Sequence, residues 1–349
     1  MPILDHEKIY SISKTMLSAK GATTENADVV ARHLANANLA GHDSHGFIRI
    51  PQYFNDIETG RLDPKASPEI ISDNGSTVQV NGNDSFGQVV ASFSTELAIE
   101  KAKKHGVAVV GMGKLGHTGR IGTYTEVVAN SGMTGMMFTG FVGGTVGNNV
   151  APFGGSARRL GTNPISMAFP YKKNCPILLD FATSIAAEGK LRVYKARNKK
   201  LPDNWVIDKN GIPTDDPNAY YEGGAILPVG GTIGGHKGFA LSMMVSLMGA
   251  VMGSIGLTSP DNGPVDKVGS SILVINLKSL SSIDHFGQEV SDIVGYIKNT
   301  PKMEGVDEIL FPGEIEFNTR NQRIANGVEI EDATWNLISD LAKTSDIKI

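Results

Sequence analysis

Between Gly41 and Arg49 the chain places a hydroxyl, an imidazole and a guanidinium within six positions, as Ser44, His45 and Arg49. These residue types suit a small carboxylate whose neighbouring oxygen must gain or lose a proton. A guanidinium can hold a carboxylate through two parallel charge-assisted hydrogen bonds, and imidazole titrates close enough to neutrality to serve as acid and base. Ser44 could orient the ring or relay to it. The string taken alone also fits a helix cap followed by a solvated His and Arg, so the rest of the chain has to decide.

Six further segments could carry chemistry. Gly111-Met112-Gly113-Lys114-Leu115-Gly116 is a literal G-x-G-x-x-G after the strand-like Val107 to Val110, and on a Rossmann reading it would cradle a pyrophosphate at a helix N-terminus. Against that reading, no acid closes the next strand-like run, which ends at Thr139, Gly140, Phe141 and Val142, and Gly116-His117-Thr118-Gly119-Arg120 interrupts the expected helix. The second reading puts the cofactor contact on His117 to Ile121, with backbone amides at the start of a helix Ile121 to Asn130; His117 could also be a structural loop histidine. Gly161-Thr162-Asn163-Pro164 sets two hydrogen-bonding side chains before a strand. Asp180-Phe181-Ala182-Thr183-Ser184 sets an acid and two hydroxyls between a strand and a helix expected over Ile185 to Ala196, with Thr183 or Ser184 as its N-cap. Gly234-Gly235-His236-Lys237-Gly238 puts a cation at the head of a long apolar helix, a penalty that a nearby pyrophosphate would remove. Phe311-Pro312-Gly313-Glu314 is a turn with an acid. The eight histidines show no zinc spacing and the single Cys175 excludes a thiolate cluster, so no metal site is expected. A Gly-x-Ser-x-Gly elbow and a P-loop are both missing.

The elements that must position these residues change texture along the chain. Asp5 and Thr23 or Thr24 stand where N-caps belong, the second before the stripe Ala27, Val30, Ala31, Leu34 and Ala37, so the first seventy or so residues read as helical. Phe47 to Glu58 predicts a third helix ending at Gly60. Beyond Pro64 and Pro68, strand-like runs at Thr77 to Val80, Val107 to Val110, Met133 to Thr139, Ile165 to Phe169 and Ile177 to Leu179 alternate with helical stretches, an α/β pattern. The helix Gln88 to Lys104 should stop at Gly106 behind a basic last turn. Leu201 to Gly235, rich in Pro and Gly, reads as irregular; Ser271 to Leu277 is a late strand and a last helix starts at Asp332.

Composition narrows the class. With 349 residues, one large α/β unit plus a smaller helical partner is the expectation. A net charge of −4, with Lys195, Arg197, Lys199 and Lys200 as the densest basic run, argues against nucleic-acid or polybasic membrane binding. Gly238 to Leu257 runs without a charge, long enough for a membrane span; with no second span, and with Gly249, Gly253, Gly256, Ser242, Ser246 and Ser254 in it, it reads as a buried helix whose Met243, Met244, Met248 and Met252 fill a core. A lone cysteine, and Asp5, His6, Glu7 and Lys8 in place of an apolar leader, suit a reducing cytoplasm. Glycine makes up 41 residues, well above the usual share of about 7 %, which points to backbone drawn close to ligands or tightly turned.

Taken together, Ser44-His45-Gly46 with Arg49, Gly116-His117, Leu160 to Pro164, Leu179 to Ser184, His236-Lys237-Gly238 and Phe311 to Glu314 resemble, in that order, the malate/L-lactate dehydrogenase family of the second type. That family also includes ureidoglycolate, sulfolactate and diketogulonate oxidoreductases and cyclic imino acid reductases. The resemblance implies an α/β fold with a mixed sheet and flanking helices, not a Rossmann fold. It adds a helical N-terminal domain, 1–72, joined by the C-terminal helix 331–349, beside an α/β cofactor domain, 73–330. It implies an NAD(P)-dependent oxidoreductase of the hydroxycarboxylate dehydrogenase type, a homodimer moving a hydride to or from a 2-hydroxy or 2-oxo acid such as malate or lactate. By position, His45 would donate and accept the proton, Ser44 would relay to it, Arg49 would clamp the substrate carboxylate and Thr162 would touch substrate. His117, Thr118, Gly119, Arg120, Ile121, Asp180, Phe181, Ala182, His236, Lys237, Pro312, Gly313 and Glu314 would line the cofactor. Some imino acid reductases of the family carry a relay aspartate where this chain has Lys190 after Gly189, which weakens that alternative. Glu314 and Glu316 tilt the cofactor toward NAD, while Arg320 and Arg323 are near enough in sequence to favour NADP. A non-catalytic dinucleotide-binding protein is the remaining alternative.

Overall fold

A computed structural model describes residues 1–143, 148–253 and 266–349. Helices α1 (His6–Ala19) and α2 (Thr24–Leu39) begin where the caps predict: the Asp5 carboxylate accepts the Glu7 N–H, and Thr23 accepts that of Asn26. Their apolar stripes, including Ile9, Met16, Val30 and Leu34, are buried together with Tyr53 and Phe54 of α3 (Ile50–Glu58). The far end of the chain closes this cluster. Strand β1 (Ile3–Leu4) pairs antiparallel with β12 (Val328–Glu329), and α11 (Asp332–Thr344) contributes Ile338 and Ala342. Burial of Ile338 alone is worth about 1.5–3 kcal/mol, so the last helix is held by packing rather than by its exposed face. The Ser44 to Arg49 string lies between α2 and α3 as two 3-10 turns, Asp43–His45 and Phe47–Arg49.

The large sheet has seven strands in the order β2-β3-β4-β11-β5-β6-β7. These are β2 (Glu69–Asp73), β3 (Thr77–Ser85), β4 (Val107–Leu115), β5 (Thr134–Gly143), β6 (Pro164–Lys172), β7 (Cys175–Ala182) and β11 (Asp266–Ile275). Only β3 and β4 run parallel, joined by the crossover helix α4 (Gly87–His105), which ends on Gly106 at φ +83° as the sequence predicts. All other neighbours are antiparallel, and β11 enters the middle late in the chain. This is a mixed α/β sheet of a non-Rossmann kind. Gly111 and Gly113 lie inside β4, where Gly111 faces Ser271 across the ladder, and a Cβ there would sit 2.4 Å from the Met252 carbonyl. The G-x-G-x-x-G run therefore packs strand against neighbour, and no helix opens until α5 (Gly122–Asn130).

Several expectations are corrected. The stretch expected to be irregular between 201 and 235 holds β8 (Val206–Ile207), β9 (Pro213–Thr214) and β10 (Ala225–Ile226), a three-stranded sheet, with α7 (Pro217–Tyr221). Helix α6 (Glu188–Ala196) starts later than expected, and its N-cap position is Ala187 without a side-chain cap; Thr183 Oγ1 instead donates to the Thr162 and Asn163 carbonyls. Helices α9 (Ile283–Lys298) and α10 (Glu314–Asn326) are additions to the sequence reading. The apolar helix α8 (Gly231–Ser246), with a π-helical turn Leu247–Val251, is not buried all round. Ser242, Val245, Ser246 and Gly249 face the protein, while Met243 and Met244 are 45 % and 56 % exposed, so these methionines do not fill a core. Positions 254–257 of the expected helix lie outside the described residues. No helix of the described residues is long and apolar enough to cross a membrane.

Candidate active site

His45 sits at the end of the first 3-10 turn, partly buried, with Nδ1 3.0 Å from Ser44 Oγ. Its ring stacks on His117, the centroids 5.5 Å apart. Burial, reinforced by the Arg49 charge, drives the His45 pKa down to about 3, so this imidazole is neutral in the resting protein. Burial also lowers the His117 pKa well below the usual imidazole range. Arg49 donates from Nε to the Ser44 carbonyl at 2.6 Å and from Nη1 to Gln52 Oε1 at 2.7 Å. Those two bonds hold the guanidinium over the turn that carries His45, leaving three of its five N–H donors for a ligand. Hydroxyl, imidazole and guanidinium thus converge as the sequence predicts.

The turn is clasped from outside the motif. Asn38 Oδ1 accepts the Phe47 N–H at 2.8 Å while its Nδ2 donates to Asp43 Oδ1 at 2.6 Å. Arg323, on α10, forks onto the Asp43 carboxylate at 2.6 and 2.9 Å and also donates to the Asn38 carbonyl. Gly46 is required by this arrangement, because a Cβ would lie 2.1 Å from Asn38 Oδ1. Nearby, His42 Nε2 is 3.4 Å from Glu316 Oε1, which holds the Glu316 carboxyl below its usual range.

The loop 117–121 is built inward. Thr118, Gly119, Arg120 and Ile121 are all buried. The Thr118 carbonyl accepts from Tyr124 Oη at 2.6 Å, and the Arg120 N–H donates to His33 Nε2 at 2.9 Å. Gly119, at φ +73°, passes so close to His33 that a Cβ would be 2.1 Å from Nε2. The Arg120 side chain is 1 % exposed and lies between Glu126, at 3.2 Å, and Asp180, at 3.5 Å. Burial raises the Asp180 pKa against the pull of Arg120, and Asp180 Oδ2 accepts the Gly122 N–H at 2.9 Å. The first free amide of α5 is therefore taken by the protein's own carboxylate. That amide is thus engaged within the protein, whereas a pyrophosphate needs free ones.

The head of α8 fits such a group better. Gly230 and Gly231 enter at φ +93° and +56°, no side chain caps the helix, and His236 and Lys237 are exposed in its second turn, His236 edge-on to Phe153 at 5.7 Å. This start adjoins the other predicted cofactor segment, because Ser184 bridges Pro228 and the Val229 N–H donates to the Thr183 carbonyl. Phe181, 38 % exposed, and Ala182 end β7 there, and Thr162 is half-buried beside Thr183. Amides without a side-chain cap, glycine and an exposed lysine with no partner among the described residues are the donor set a dinucleotide phosphate needs. Pro312 and Gly313 pack on β7, the Pro312 carbonyl accepting the Leu178 N–H at 2.9 Å, while Glu314 is held by Lys298 at 2.7 Å. Arg320 is spent on Glu126 and Arg323 on Asp43.

Sequence reasoning missed Tyr53, Gln88, Asn38, Asp43 and Arg323. Tyr53 Oη is 3.1 Å from His117 Nδ1 and accepts from Gln88 Nε2. A signal existed for Tyr53, four residues after Arg49 and so on the same helical face.

With this geometry in view, the comparisons are consistent with one another. Residues 4–339 match the family model described as malate/L-lactate dehydrogenase. Hydroxycarboxylate dehydrogenase B of Escherichia coli (strain K12) is 34 % identical over 344 residues, 97 % of this chain and 93 % of that protein. The crystal structure of malate dehydrogenase from Entamoeba histolytica superposes with a TM-score of 0.91 at 28 % identity, covering 100 % of this chain and 99 % of that one. The delta1-piperideine-2-carboxylate reductase of Pseudomonas syringae pvar. tomato superposes with a TM-score of 0.83 at 28 % identity, covering 98 % and 100 %. A match over nearly the whole chain, with the same fold in solved structures, places it: this chain belongs to the malate/L-lactate dehydrogenase family.

Proposed function

We propose that the protein is an NAD(P)-dependent 2-hydroxy acid dehydrogenase acting on malate, lactate or a related hydroxycarboxylate. The observation that carries this reading is Arg49, tethered to the turn of His45 yet keeping a free fork of donors. Bound nicotinamide supplies or takes the hydride at C2 of the substrate. Arg49 grips the carboxylate and so turns C2 and its oxygen toward His45, a positioning effect worth several kcal/mol of the barrier. In reduction, protonated His45 gives its proton to the carbonyl oxygen; in oxidation, neutral His45 takes it from the hydroxyl. The carboxylate also offsets the Arg49 charge that, after burial, lowers the His45 pKa, so bound substrate opposes that second cause of the shift. Ser44 holds Nδ1.

The helical part carrying His45, with the C-terminal helix, and the α/β part from residue 73 to 330 form the two units of this reading, with the α8 head and β7 end as the cofactor side. Arg320 and Arg323 are both engaged, which removes them as partners for a 2′-phosphate and favours NAD. The exposed apolar side of α8, with Met243, Met244 and Leu247, is suited to a homodimer contact. The single cysteine suits a cytoplasmic protein. Likeness to the piperideine carboxylate reductase supports cyclic imino acid reduction as the second reading.

The test follows nicotinamide absorbance with NADH or NADPH, a panel of 2-oxo acids and one cyclic imine, for wild type and His45→Ala. Oxidation of cofactor by an oxo acid, lowered about 10²- to 10⁴-fold in His45→Ala, is expected. Turnover of the imine alone supports the second reading, and no turnover in either direction refutes both.

A further inference from the structure

His117 stacks on His45, but its own ring edge is organised by two residues from other helices. Tyr53 on α3 meets Nδ1 at 3.1 Å, and Gln88, in the first turn of α4, donates from Nε2 to the Tyr53 hydroxyl. Both partners are fully buried, and the Tyr53 ring is fixed edge-on to Phe86 at 5.9 Å. The backbone of the histidine is equally constrained. The Gly116 N–H donates to the Ser85 carbonyl at 2.9 Å, and a Cβ on Gly87 would fall 2.5 Å from the His117 carbonyl carbon. Loop and helix start are thus in direct contact, and the ring has little freedom to turn away.

We propose that Gln88 and Tyr53 are positioning residues whose hydrogen-bond chain holds His117 as the neutral imidazole protonated on Nε2, a fixed donor beside His45. The direction of the chain carries the argument. Gln88 turns Nε2 to the Tyr53 oxygen and keeps Oε1 buried with no partner among the described residues; with that orientation the Tyr53 oxygen accepts from Nε2 and its single hydrogen goes to His117 Nδ1. An accepting Nδ1 in a neutral ring leaves the proton on Nε2. Nε2 is not among the buried polar atoms that lack a partner, and the described residues offer it no hydrogen bond, so this edge reaches solvent. Burial keeps both stacked rings neutral at rest, and a ring held in one tautomer is unsuited to exchange protons with its neighbour. On the dehydrogenase reading proposed above, His45 alone then shuttles the proton while His117 donates a hydrogen bond to substrate or nicotinamide.

The molecule contains its own reference for the test. His33 accepts the Arg120 N–H on Nε2, so its proton must sit on Nδ1, the opposite tautomer. Long-range ¹H–¹⁵N correlation spectra of the deuterated, histidine-labelled full chain, without substrate or cofactor, read both rings at pH 8, with His117→Asn and His33→Gln assigning them. The expected result is a pyrrole-type Nε2 for His117 and a pyrrole-type Nδ1 for His33. Tyr53→Phe should mix the His117 tautomers and leave His33 unmoved. Gln88→Glu, studied above the titration of its carboxyl, should draw the Tyr53 hydrogen to the carboxylate and move the His117 proton to Nδ1; it serves if Tyr53→Phe does not fold. His117 protonated on Nδ1 in the wild type, or a tautomer indifferent to both substitutions, overturns the proposal. Because the resting protein is read, this result is independent of whether any 2-oxo acid is turned over.

Discussion

Arg49→Lys isolates the contribution of a two-pronged grip from that of charge. In the structure Arg49 commits Nε to the Ser44 carbonyl at 2.6 Å and one Nη1 hydrogen to Gln52 at 2.7 Å. The remaining donors lie on Nη1 and Nη2, the pair that can meet both oxygens of a carboxylate side by side. Lysine keeps the charge but offers a compact head, so one of two charge-assisted bonds to substrate is lost. Such a bond is worth about 1.5–3 kcal/mol, and the substrate KM should rise about 10- to 150-fold. Loss of the Ser44 tether loosens the turn as well, so kcat falls with it. The cofactor dissociation constant, read by nicotinamide fluorescence, should stay within about twofold, because on this reading Arg49 holds substrate and not cofactor. Initial rates against 2-oxo acid concentration give the KM, and thermal unfolding shows that the variant is folded. A folded Arg49→Lys enzyme with a KM within about threefold of wild type would refute the role, since a lost charge-assisted bond cannot cost so little if a carboxylate is held there.

Three further outcomes follow from the same geometry. Asp43→Ala removes the anchor that Arg323 and Asn38 share, and it should lower kcat about 10- to 100-fold through displacement of His45 while shifting thermal stability only slightly, since the Asp43 carboxylate is half exposed; kinetics and a melting curve separate the two. His33 is buried with its pKa pushed down to about 3, so the unfolded chain binds the extra proton first: its stabilising contribution is complete above about pH 6.5 and is lost as pH falls toward 3. Between pH 7.5 and pH 5 that one group costs about 2 kcal/mol, so urea unfolding of His33→Gln should show a correspondingly shallower loss over that window. Met244→Lys puts a charge on the exposed apolar side of α8, and sedimentation velocity should show a homodimer in the wild type and a shift to monomer in the variant.

The contiguous part of the site was legible because its chemistry is compressed into Ser44, His45 and Arg49, where spacing alone brings the groups together. The clasp was not, because Arg323 is 280 positions from Asp43 and nothing local pairs them. Tyr53 hides for a different reason: on the apolar stripe of α3 it looks like core, and it is core, except that its hydroxyl emerges at His117. Asp180 shows the limit of residue type as evidence. An acid next to hydroxyls suggested a ligand contact, yet its carboxylate also caps α5 and faces Arg120, both long-range relations.

The long apolar helix holds a hint that composition concealed and position reveals. Its small residues recur on one side, where a Cβ on Gly249 would lie 2.3 Å from the Gly140 nitrogen of β5 and one on Gly253 would lie 2.5 Å from the Met112 carbonyl of β4. Asn163 Nδ2 reaches Ser246 at 2.7 Å and Ser242 at 3.2 Å on that same side. Backbone therefore lies on backbone, as it can only where side chains are absent. Methionine 243 and 244 occupy the other side, and a flexible, polarizable side chain there is better matched to a surface that must adapt to another surface than to a core of fixed shape. A helix with glycine and serine toward the sheet and methionine away from it presents two faces of different chemistry, and among the described residues the sheet covers the first while Met243 and Met244 of the second are exposed.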